Sequence, residues 1–337
     1  MNTDKKRNSL AVMAAVSAVG LWSLSPIFIS LIGTRAGAAE VFLVAMNFAI
    51  LSGIIISLVK WKTTKILLAN LNRRSGLLKG VFNASIAGAF IGVWYFGFYQ
   101  ALNYGPKIEV TVIAFIWPLL SIIAMRIFAK DAASPLYLKS WLLIAASFVG
   151  VSLIALNNEN SNNSETFWGM LWAFIAAVGS GLYLPFAVKA SKKFSEIVDP
   201  GPLTTFYSVS VSNVAAIIVA GFGMLIAKYP LNFSNFDFST LLLCAVIGLG
   251  VYLFAEVAWT WAFRETASLT LSSLPYFSPA VSVVLLALLF NEKITIYATF
   301  GLMIIIVSNL WLHFDKTSKK GVNTIKHSAS KDSLKNN

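Results

Sequence analysis

The stretch "IEVTVIAFIWPLLSII", from Ile108 to Ile123, holds a glutamate and a proline in an otherwise almost wholly apolar run. A proline inside a helix removes one backbone hydrogen bond and clashes with the preceding turn. A soluble core helix rarely accepts both residues, whereas a membrane helix tolerates the proline when its neighbours satisfy the freed carbonyl. The stretch therefore favours a membrane-spanning helix.

The composition of the whole chain agrees with that interpretation. Of its 337 residues, 57% are hydrophobic and only 12% are charged, and the mean hydropathy is +0.74. Soluble domains are about 45–50% apolar and about 25% charged. Too few polar side chains are present to cover a water-facing surface, so the chain is predicted to be an all-α integral membrane protein.

Ten stretches are apolar and long enough to span a bilayer, which takes about 20 residues. They are residues 9–32, 38–59, 77–102, 108–129, 137–156, 167–189, 203–227, 239–263, 268–290 and 294–314. The connections are short, and the longest lie near 60–76 and 228–238. Residues 1–8 form a short polar N-terminus, and the polar tail 315–337 is predicted to be disordered.

The basic residues predict the orientation of these ten spans. With an even number of spans both termini lie on one side, and 22 of the 26 lysines and arginines fall on that side. Because short cytoplasmic loops carry an excess of Lys and Arg, both termini are predicted to be cytoplasmic. The net charge of +12 is then a topology signal and requires no nucleic acid.

The sequence repeats itself at a nearly constant offset. "AVGLWSLSP" at 18–26 is echoed by "AVGSGLYLP" at 177–185, 159 positions later. "AFIWPLLS" at 114–121 is echoed by "PYFSPAVS" at 275–282, 161 positions later. The chain is therefore predicted to contain two units of five helices.

These units are residues 9–156 and 167–314, joined by an external loop at 157–166. Because five is odd, the second unit enters the membrane from the opposite side, and the repeats are inverted. Inverted repeats place a site near the midplane between the halves, which is an arrangement typical of transporters.

Other functional classes find little support in the sequence. No CxxC, HExxH or P-loop motif occurs, so no metal or cofactor is expected. The single cysteine, Cys244, cannot form an internal disulfide. An intramembrane enzyme needs a nucleophile with a base, or a metal, and no histidine lies deep in a span. A channel needs a continuous polar pore, and no filter-like loop is present.

The paired third and fourth helices resemble a known family. "YFGFYQALNYGPKIE" (95–109) pairs with "EVAWTWAFRETASLT" (256–270), and each fourth helix has a central proline and ends at an acid, in "FAKD" and "LFNEK". Together they resemble the drug/metabolite transporter superfamily, EamA-type. Glu109, Trp117 and Pro118, with "AWTWAFRE" later, resemble its aromatic amino-acid exporter branch. In that branch an acid commonly follows the tryptophan of the eighth helix, whereas here Thr260 follows Trp259.

The resemblance implies a secondary transporter, expected to export small amphipathic metabolites such as amino acids by alternating access. It implies a multi-pass protein of the cell (inner) membrane, working as a monomer or weak dimer without a cofactor. Coupling to protons is one interpretation of its energy source. A channel-like permease, or a carrier of lipid-like or drug cargo, remains the alternative.

Glu256 is the most informative acid because it lies well inside the eighth span. A charge there costs at least about 2.5–3.5 kcal/mol, so the carboxyl must face a wet cavity, find a partner or be protonated. It could contact a cargo amine or couple protons; alternatively, it makes a structural hydrogen bond while neutral. Glu109 has a simpler explanation, since a carboxylate is favourable in the first turn of a helix.

The remaining candidates lie on the first, third, fourth, sixth, eighth and ninth spans. In members of the superfamily, the cavity is lined mainly by the helices that correspond to these six spans. Polar and small residues form a stripe on the fourth span and a matching one on the ninth, which either face the cavity or pack tightly. Deep aromatic residues could stack on an aromatic or cationic cargo, or simply pack the core. The predicted cargo-binding residues are Trp22, Ser25, Trp94, Tyr95, Tyr99, Thr111, Phe115, Tyr183, Glu256, Trp259, Ser272 and Tyr276, with Pro118 and Pro279 as pivots.

Overall fold

The computed structural model describes most of the helical part of the chain. It covers residues 2–32, 35–71, 75–129, 141–142, 145–146, 149–150, 164–198, 201–226, 228, 230–265, 274–291 and 293–314. Among these residues the regular structure is entirely helical. The predicted tail and most of the predicted loop 157–166 lie outside the described residues.

Eleven helices are labelled in chain order within the described residues. They are α1 (Asn2–Ile32), α2 (Ala38–Val59), α3 (Trp61–Leu71), α4 (Ser75–Tyr104), α5 (Lys107–Ala114), α6 (Trp117–Phe128), α7 (Ser164–Ser195), α8 (Pro202–Ile226), α9 (Phe238–Glu265), α10 (Phe277–Phe290) and α11 (Ile296–Phe314).

Seven apolar segments of the described chain are long enough to cross a membrane. They come from α1, α2, α4, the joined pair α5–α6, α7, α8 and α9, and α10 and α11 are shorter apolar helices. The protein is thus a multi-pass, all-helical membrane protein. The predicted span at 137–156 falls largely outside the described residues, so the predicted total of ten spans stays a prediction.

The connection predicted near 60–76 contains a helix of its own. Helix α3 covers 11 of these residues. Its Leu67 is buried in a small cluster with Leu77, Phe194 and Tyr207. This amphipathic helix is too short to span a bilayer, and the sequence analysis did not predict it. We call the end of the bundle at which α3 lies the α3 end.

The opening stretch is broken rather than continuous. Helix α5 ends at Ala114, a turn follows at Phe115 and Ile116, and α6 begins at Trp117. Pro118 therefore lies in the first turn of α6, where its missing N–H costs nothing. Pro279 has a similar place in the first turn of α10, directly after a 3-10 turn at Leu274–Tyr276.

Helix α9 changes its winding in the middle. Residues Ile247–Ala255 form a π-helix, with α-helix on either side. The Asn213 side chain of α8 donates a hydrogen bond of 3.0 Å to the Tyr252 carbonyl in this segment. Segments of π-helix often mark functional sites, and this one ends directly before Glu256.

The long helices contact each other in two matching sets. Helix α4 packs against α7 and α8, whereas α9 packs against α1 and α2. Helix α6 packs on α7, and α10 packs on α1. Exchanging α1 with α7, α2 with α8, α4 with α9 and α6 with α10 turns one set into the other. This is the pattern that two exchanged repeats would produce, and it places α4 and α9 at the centre.

Candidate functional site

The Glu256 carboxyl meets a phenol in the middle of the bundle. Tyr95 of α4 donates its hydroxyl to Glu256 Oε1 of α9 at 3.1 Å. Both residues are almost fully buried, with 3% of Tyr95 and 4% of Glu256 exposed. The two positions lie 161 apart, the offset that pairs residues 95–109 with residues 256–270 in the predicted repeat. Helices α4 and α9, the third and eighth predicted spans, are therefore predicted repeat mates that contact each other directly.

Further hydroxyl groups surround this pair. Tyr183 of α7 interacts with the same carboxyl, and its hydroxyl lies 3.3 Å from Thr260 Oγ1. Tyr252 donates to the Tyr99 hydroxyl at 3.1 Å, and its ring stacks on Tyr95 with centroids 3.7 Å apart. A buried layer of phenols thus crosses from α4 to α9 and orients Tyr95 toward the carboxyl.

Three tryptophans from three helices form the wall next to Glu256. Trp22 of α1 lies edge-on to Trp117 of α6 and to Trp259 of α9, with centroids 5.4 and 5.3 Å apart. Trp117 and Trp259 complete the triangle at 6.1 Å. Edge-to-face packing at these distances is favourable for aromatic rings. We call these three residues the tryptophan triangle.

A small cavity separates the triangle from the carboxyl. It is lined by Trp22, Trp94, Trp117, Ser180, Tyr183, Leu184, Glu256 and Trp259. Its volume is about 10 Å³, which is room for about one water molecule. An amino acid could enter only if the surrounding helices or rings moved apart.

The indole Nε1 of Trp259, a residue of the cavity wall, is buried and has no hydrogen-bond partner among the described residues. The Oγ1 of Thr111 is also buried without such a partner, but Thr111 does not line the cavity. An unpaired buried donor costs about 1–3 kcal/mol, so such an atom calls for an explanation. Trp259 lines the cavity one helical turn after Glu256, and its N–H is available to an acceptor that enters there.

Ser25 is one predicted cargo residue whose hydroxyl is already used. Its Oγ donates to the Trp22 carbonyl at 2.8 Å. That carbonyl would normally accept from residue 26, but Pro26 has no N–H. Ser25 therefore repairs the hydrogen bond that Pro26 removes from α1, which is a structural role that the sequence analysis did not anticipate.

The structure places the other predicted residues at different distances from the cavity. Trp94 lines it and stacks on Phe98 at 5.1 Å, while Phe115 lies edge-on to Trp94 at 6.1 Å. Tyr99 is one layer away, bonded to Tyr252. Ser272, and the side chain of Tyr276, lie outside the described residues.

Sequence reasoning missed several residues that the fold brings to the site. Ser180 and Leu184 line the cavity but carry no chemical signature in the sequence. Tyr252 precedes Glu256 by about one helical turn, and that spacing was an available signal. Trp117 was noted only for its family motif, because a tryptophan in an apolar run more often packs a core.

Each end of the bundle has its own polar closure. At the α3 end, Arg264 donates to Thr204 Oγ1 at 2.9 Å, to Ser191 Oγ at 3.1 Å and to Glu265 Oε1 at 2.8 Å. These bonds tie α9 to α7 and α8. At the opposite end, Thr295 donates to Glu109 Oε1 at 3.4 Å. Glu109 lies in the first turn of α5, as predicted, and it is also buried.

The described residues contain no cluster of three or more His, Cys, Asp or Glu side chains that could hold a metal ion. The groups that the structure places at the site are one carboxyl, several hydroxyls and aromatic rings. Such a set suits reversible binding of a small polar and aromatic solute.

Comparison with known proteins supports a transporter. Residues 167–313 match the model of the EamA-like transporter family. A protein of Clostridium kluyveri, named only as an uncharacterized transporter, is 26% identical over 193 residues. That alignment covers 56% of this chain and 58% of the relative, so the chain spans little more than half of the relative's length.

The fold itself has a solved counterpart. A protein crystal structure with 18% sequence identity superposes with a TM-score of 0.59, over 89% of this chain and 95% of the other. At this identity the similarity concerns the fold alone. The family match covers the second predicted repeat, which contains Tyr183 and Glu256.

Proposed function

We propose that this chain is an EamA-like secondary transporter that exports a small amphipathic metabolite, such as an aromatic amino acid, from the cell. The family match and the multi-pass helical fold support the transporter class. The buried Glu256–Tyr95 pair, at the contact between the two predicted repeat mates, carries the proposal for where cargo binds. An ionisable residue inside a membrane bundle is by default a functional residue.

The groups around the cavity suit a zwitterion. Glu256 provides an acceptor for an ammonium group, and Trp259 Nε1, one turn later, provides a donor for a carboxylate. The tryptophan triangle supplies ring edges and faces that an aromatic side chain or a cation can contact. A single site thus offers partners for both charges and for an aromatic ring.

The closed cavity and the two polar closures support a mechanism of alternating access. The cavity of about 10 Å³ is too small for an amino acid, so loading requires the helices to separate. Opening the Arg264 cluster would expose the site at the α3 end, and parting Glu109 from Thr295 would expose it at the other. Inverted-repeat transporters move by rocking one repeat against the other around such a site.

The test is transport by the purified full-length chain in proteoliposomes. We expect saturable uptake of labelled tryptophan or phenylalanine, and counterflow when the vesicles are preloaded with unlabelled amino acid. A parallel assay with an imposed pH gradient measures proton coupling. Unsaturable flux without counterflow would indicate a channel, and transport of only lipids or amphipathic drugs would overturn the proposed cargo class.

The orientation has a separate test, because the chain has one cysteine, Cys244, and it is buried. In a Cys244→Ser background, single cysteines at exposed loop positions report which side is accessible to a membrane-impermeant thiol reagent. We propose that both termini and the α3 end face the cytoplasm. Labelling of Lys62→Cys from outside intact cells would contradict that orientation.

A further inference from the structure

A large apolar groove lies on the outside of the bundle at the α3 end. Helices α2, α3, α4 and α8 enclose a volume of about 480 Å³, within the usual range for ligand sites. Its walls include Leu58, Leu68, Val211 and Val214. The groove is separate from the Glu256 cavity, and nothing in the proposed transport cycle uses it.

Two features indicate that the groove lies at the level of the membrane surface. Trp61, at the start of α3, lines the groove and is 52% exposed. Tryptophan is enriched at the boundary between the acyl chains and the headgroups. Helix α3 follows the apolar span α2 directly and is amphipathic, as expected for a helix in the interface plane. The groove therefore opens where a phospholipid has its glycerol and phosphate.

Three lysines are neighbours in the chain of residues that line the groove. Lys60 and Lys62 flank Trp61 in the chain, and Lys65 follows Thr64, another lining residue. All three lysines are exposed. Among the side chains described at the same end, the acids are Glu196 and Glu265, and each pairs with a cation, at 2.7 and 2.8 Å respectively. The described side chains near the groove therefore carry an excess of positive charge.

Two hydroxyls of the groove are not available to a phosphate. Thr64 Oγ1 lies 2.7 Å from the Ser57 carbonyl, to which it donates its single proton. The Tyr207 hydroxyl, 2.8 Å from Thr64 Oγ1, must then donate to Thr64. Both protons are used inside the protein, so the exposed lysine ammonium groups are the charged donors for an anion.

A second groove provides an internal comparison. It encloses about 470 Å³ between α4, α7 and α8 at the opposite end, and its walls include Val219 and Gly223. None of its described lining residues is charged or stands next to a charged residue in the chain. The two grooves are alike in size and apolar lining, and the flanking lysines distinguish them.

We propose that the groove at the α3 end binds an anionic phospholipid, with an acyl chain against Leu68 and Val214 and the phosphate at Lys60, Lys62 and Lys65. This lipid is a bound component of the folded protein and not its cargo. With the predicted orientation it comes from the cytoplasmic leaflet, whose anionic lipids attract basic residues near the surface. The inference depends on the membrane location alone and does not require the proposed cargo.

The experiment measures lipid retention by native mass spectrometry and melting temperature in detergent, with added phosphatidylglycerol or phosphatidylcholine. We expect phosphatidylglycerol to be retained preferentially and to raise the melting temperature more. The triple variant Lys60→Gln, Lys62→Gln, Lys65→Gln should lose about fivefold in the preference for each lysine removed. The control at the opposite end, Lys228→Gln with Lys293→Gln, removes two lysines and should keep the preference.

A second pair of variants tests the groove itself. Val214→Trp fills the proposed groove and Val219→Trp fills the comparison groove; both valines are on α8, and they are 42% and 43% exposed. Only Val214→Trp should reduce phosphatidylglycerol retention. Equal effects of the two lipids, or full retention by either the triple variant or Val214→Trp, would overturn the proposal. A dimer lost in Val214→Trp would assign the groove to a second copy instead.

Discussion

Helices α4 and α9 are predicted to be equivalent helices of the two repeats, and they differ where they contact each other. Helix α4 is a continuous α-helix that contributes a phenol, Tyr95, whereas α9 contains a π-helical segment and contributes a carboxyl, Glu256. Two positions that the predicted repeat makes equivalent meet near the centre of the bundle. The difference between the two residues makes that meeting point a hydrogen-bonded, ionisable site.

The comparison of α4 with α9 also explains why α9 contains a π-helical segment. Gly88 of α4 lies against the Ser212 carbonyl of α8, and Gly248 of α9 lies against the Ala45 carbonyl of α2. Seven positions separate Gly88 from Tyr95, but eight separate Gly248 from Glu256. A π-helix accommodates one additional residue. The π segment therefore keeps both the close glycine contact and the central position of Glu256.

The largest expected effect comes from removing the carboxyl that distinguishes α9 from α4. Glu256→Gln keeps the shape but loses the charge-assisted contact to a cargo amine, so transport in proteoliposomes should fall about 10–100-fold. The matched control is Glu109→Gln, which is also buried but bonds Thr295 at the far end, and its effect should be smaller. Unchanged flux in Glu256→Gln across the pH range would contradict a functional role.

The two glycines test whether α4 and α9 are equivalent. A Cβ at Gly88 or Gly248 would overlap a backbone carbonyl oxygen of the neighbouring helix. Each change to alanine should therefore reduce the free energy of unfolding by about 1–3 kcal/mol, measured by denaturant titration in detergent. Gly20→Ala and Gly221→Ala are the controls, since a Cβ there meets nothing within 4 Å. A large loss at only one of the two sites would speak against equivalence.

Removing the phenol from α4 should have a more modest effect. Tyr95→Phe leaves the ring stacked on Tyr252 but removes the donor to Glu256. Cargo affinity should change by about 3–10-fold, as expected for one neutral hydrogen-bond donor. Isothermal titration would measure it, with Tyr99→Phe as the control because its hydroxyl bonds Tyr252 only. Equal effects of the two variants would mean that contact with Glu256 is unimportant.

The π segment should respond weakly to loss of its side-chain partner. Asn213→Leu removes the donor to the Tyr252 carbonyl, at a cost of about 0.6 kcal/mol, since hydrogen bonds between membrane helices average that value. Hydrogen exchange at residues 248–256 should become faster. Asn47→Leu is a suitable control because Asn47 bonds a carbonyl of its own helix. If both variants leave exchange unchanged, Asn213 does not hold the π winding.

The smallest effect concerns the start of α9. Asp237 accepts from the Thr240 backbone N–H at 2.8 Å, and hydrogen bonds from Thr240 and Ser239 lower its pKa to about 2. Because this pKa is below the unfolded value of 3.8, the stabilisation is present above about pH 4 and is lost toward pH 2. Melting curves should show a small loss for Asp237→Ala at neutral pH. Asp237→Asn should retain the cap and lose only the pH dependence.

Several features could be predicted from the sequence because they depend on local composition. Six of the seven described spans begin and end within two residues of their predicted bounds, and α7 extends six residues further at its end. The agreement arises because apolar run length is a direct requirement of the bilayer. Glu256 was identified because an acid inside an apolar run is conspicuous. Trp22, Trp94, Tyr183 and Trp259 were also proposed for the site, and all four line its cavity.

Other features depended on contacts between distant segments. The π winding of α9 follows from close packing on α2 and from Asn213, and neither is visible in the local sequence. Ser25 was proposed for cargo, but its hydroxyl is used on its own helix because of Pro26. The helical nature of α3 was missed because it is shorter than a span.

The sequence by itself determined that this chain crosses a membrane several times, and it indicated a repeated pattern and one costly acid within a span. Each of these is read from residue type and spacing alone. Only the tertiary structure decided which phenol meets Glu256, that three tryptophans close around it, and that the remaining space is about 10 Å³. Those facts depend on how helices far apart in the chain pack, because contacts between residues 161 positions apart leave no trace in local periodicity.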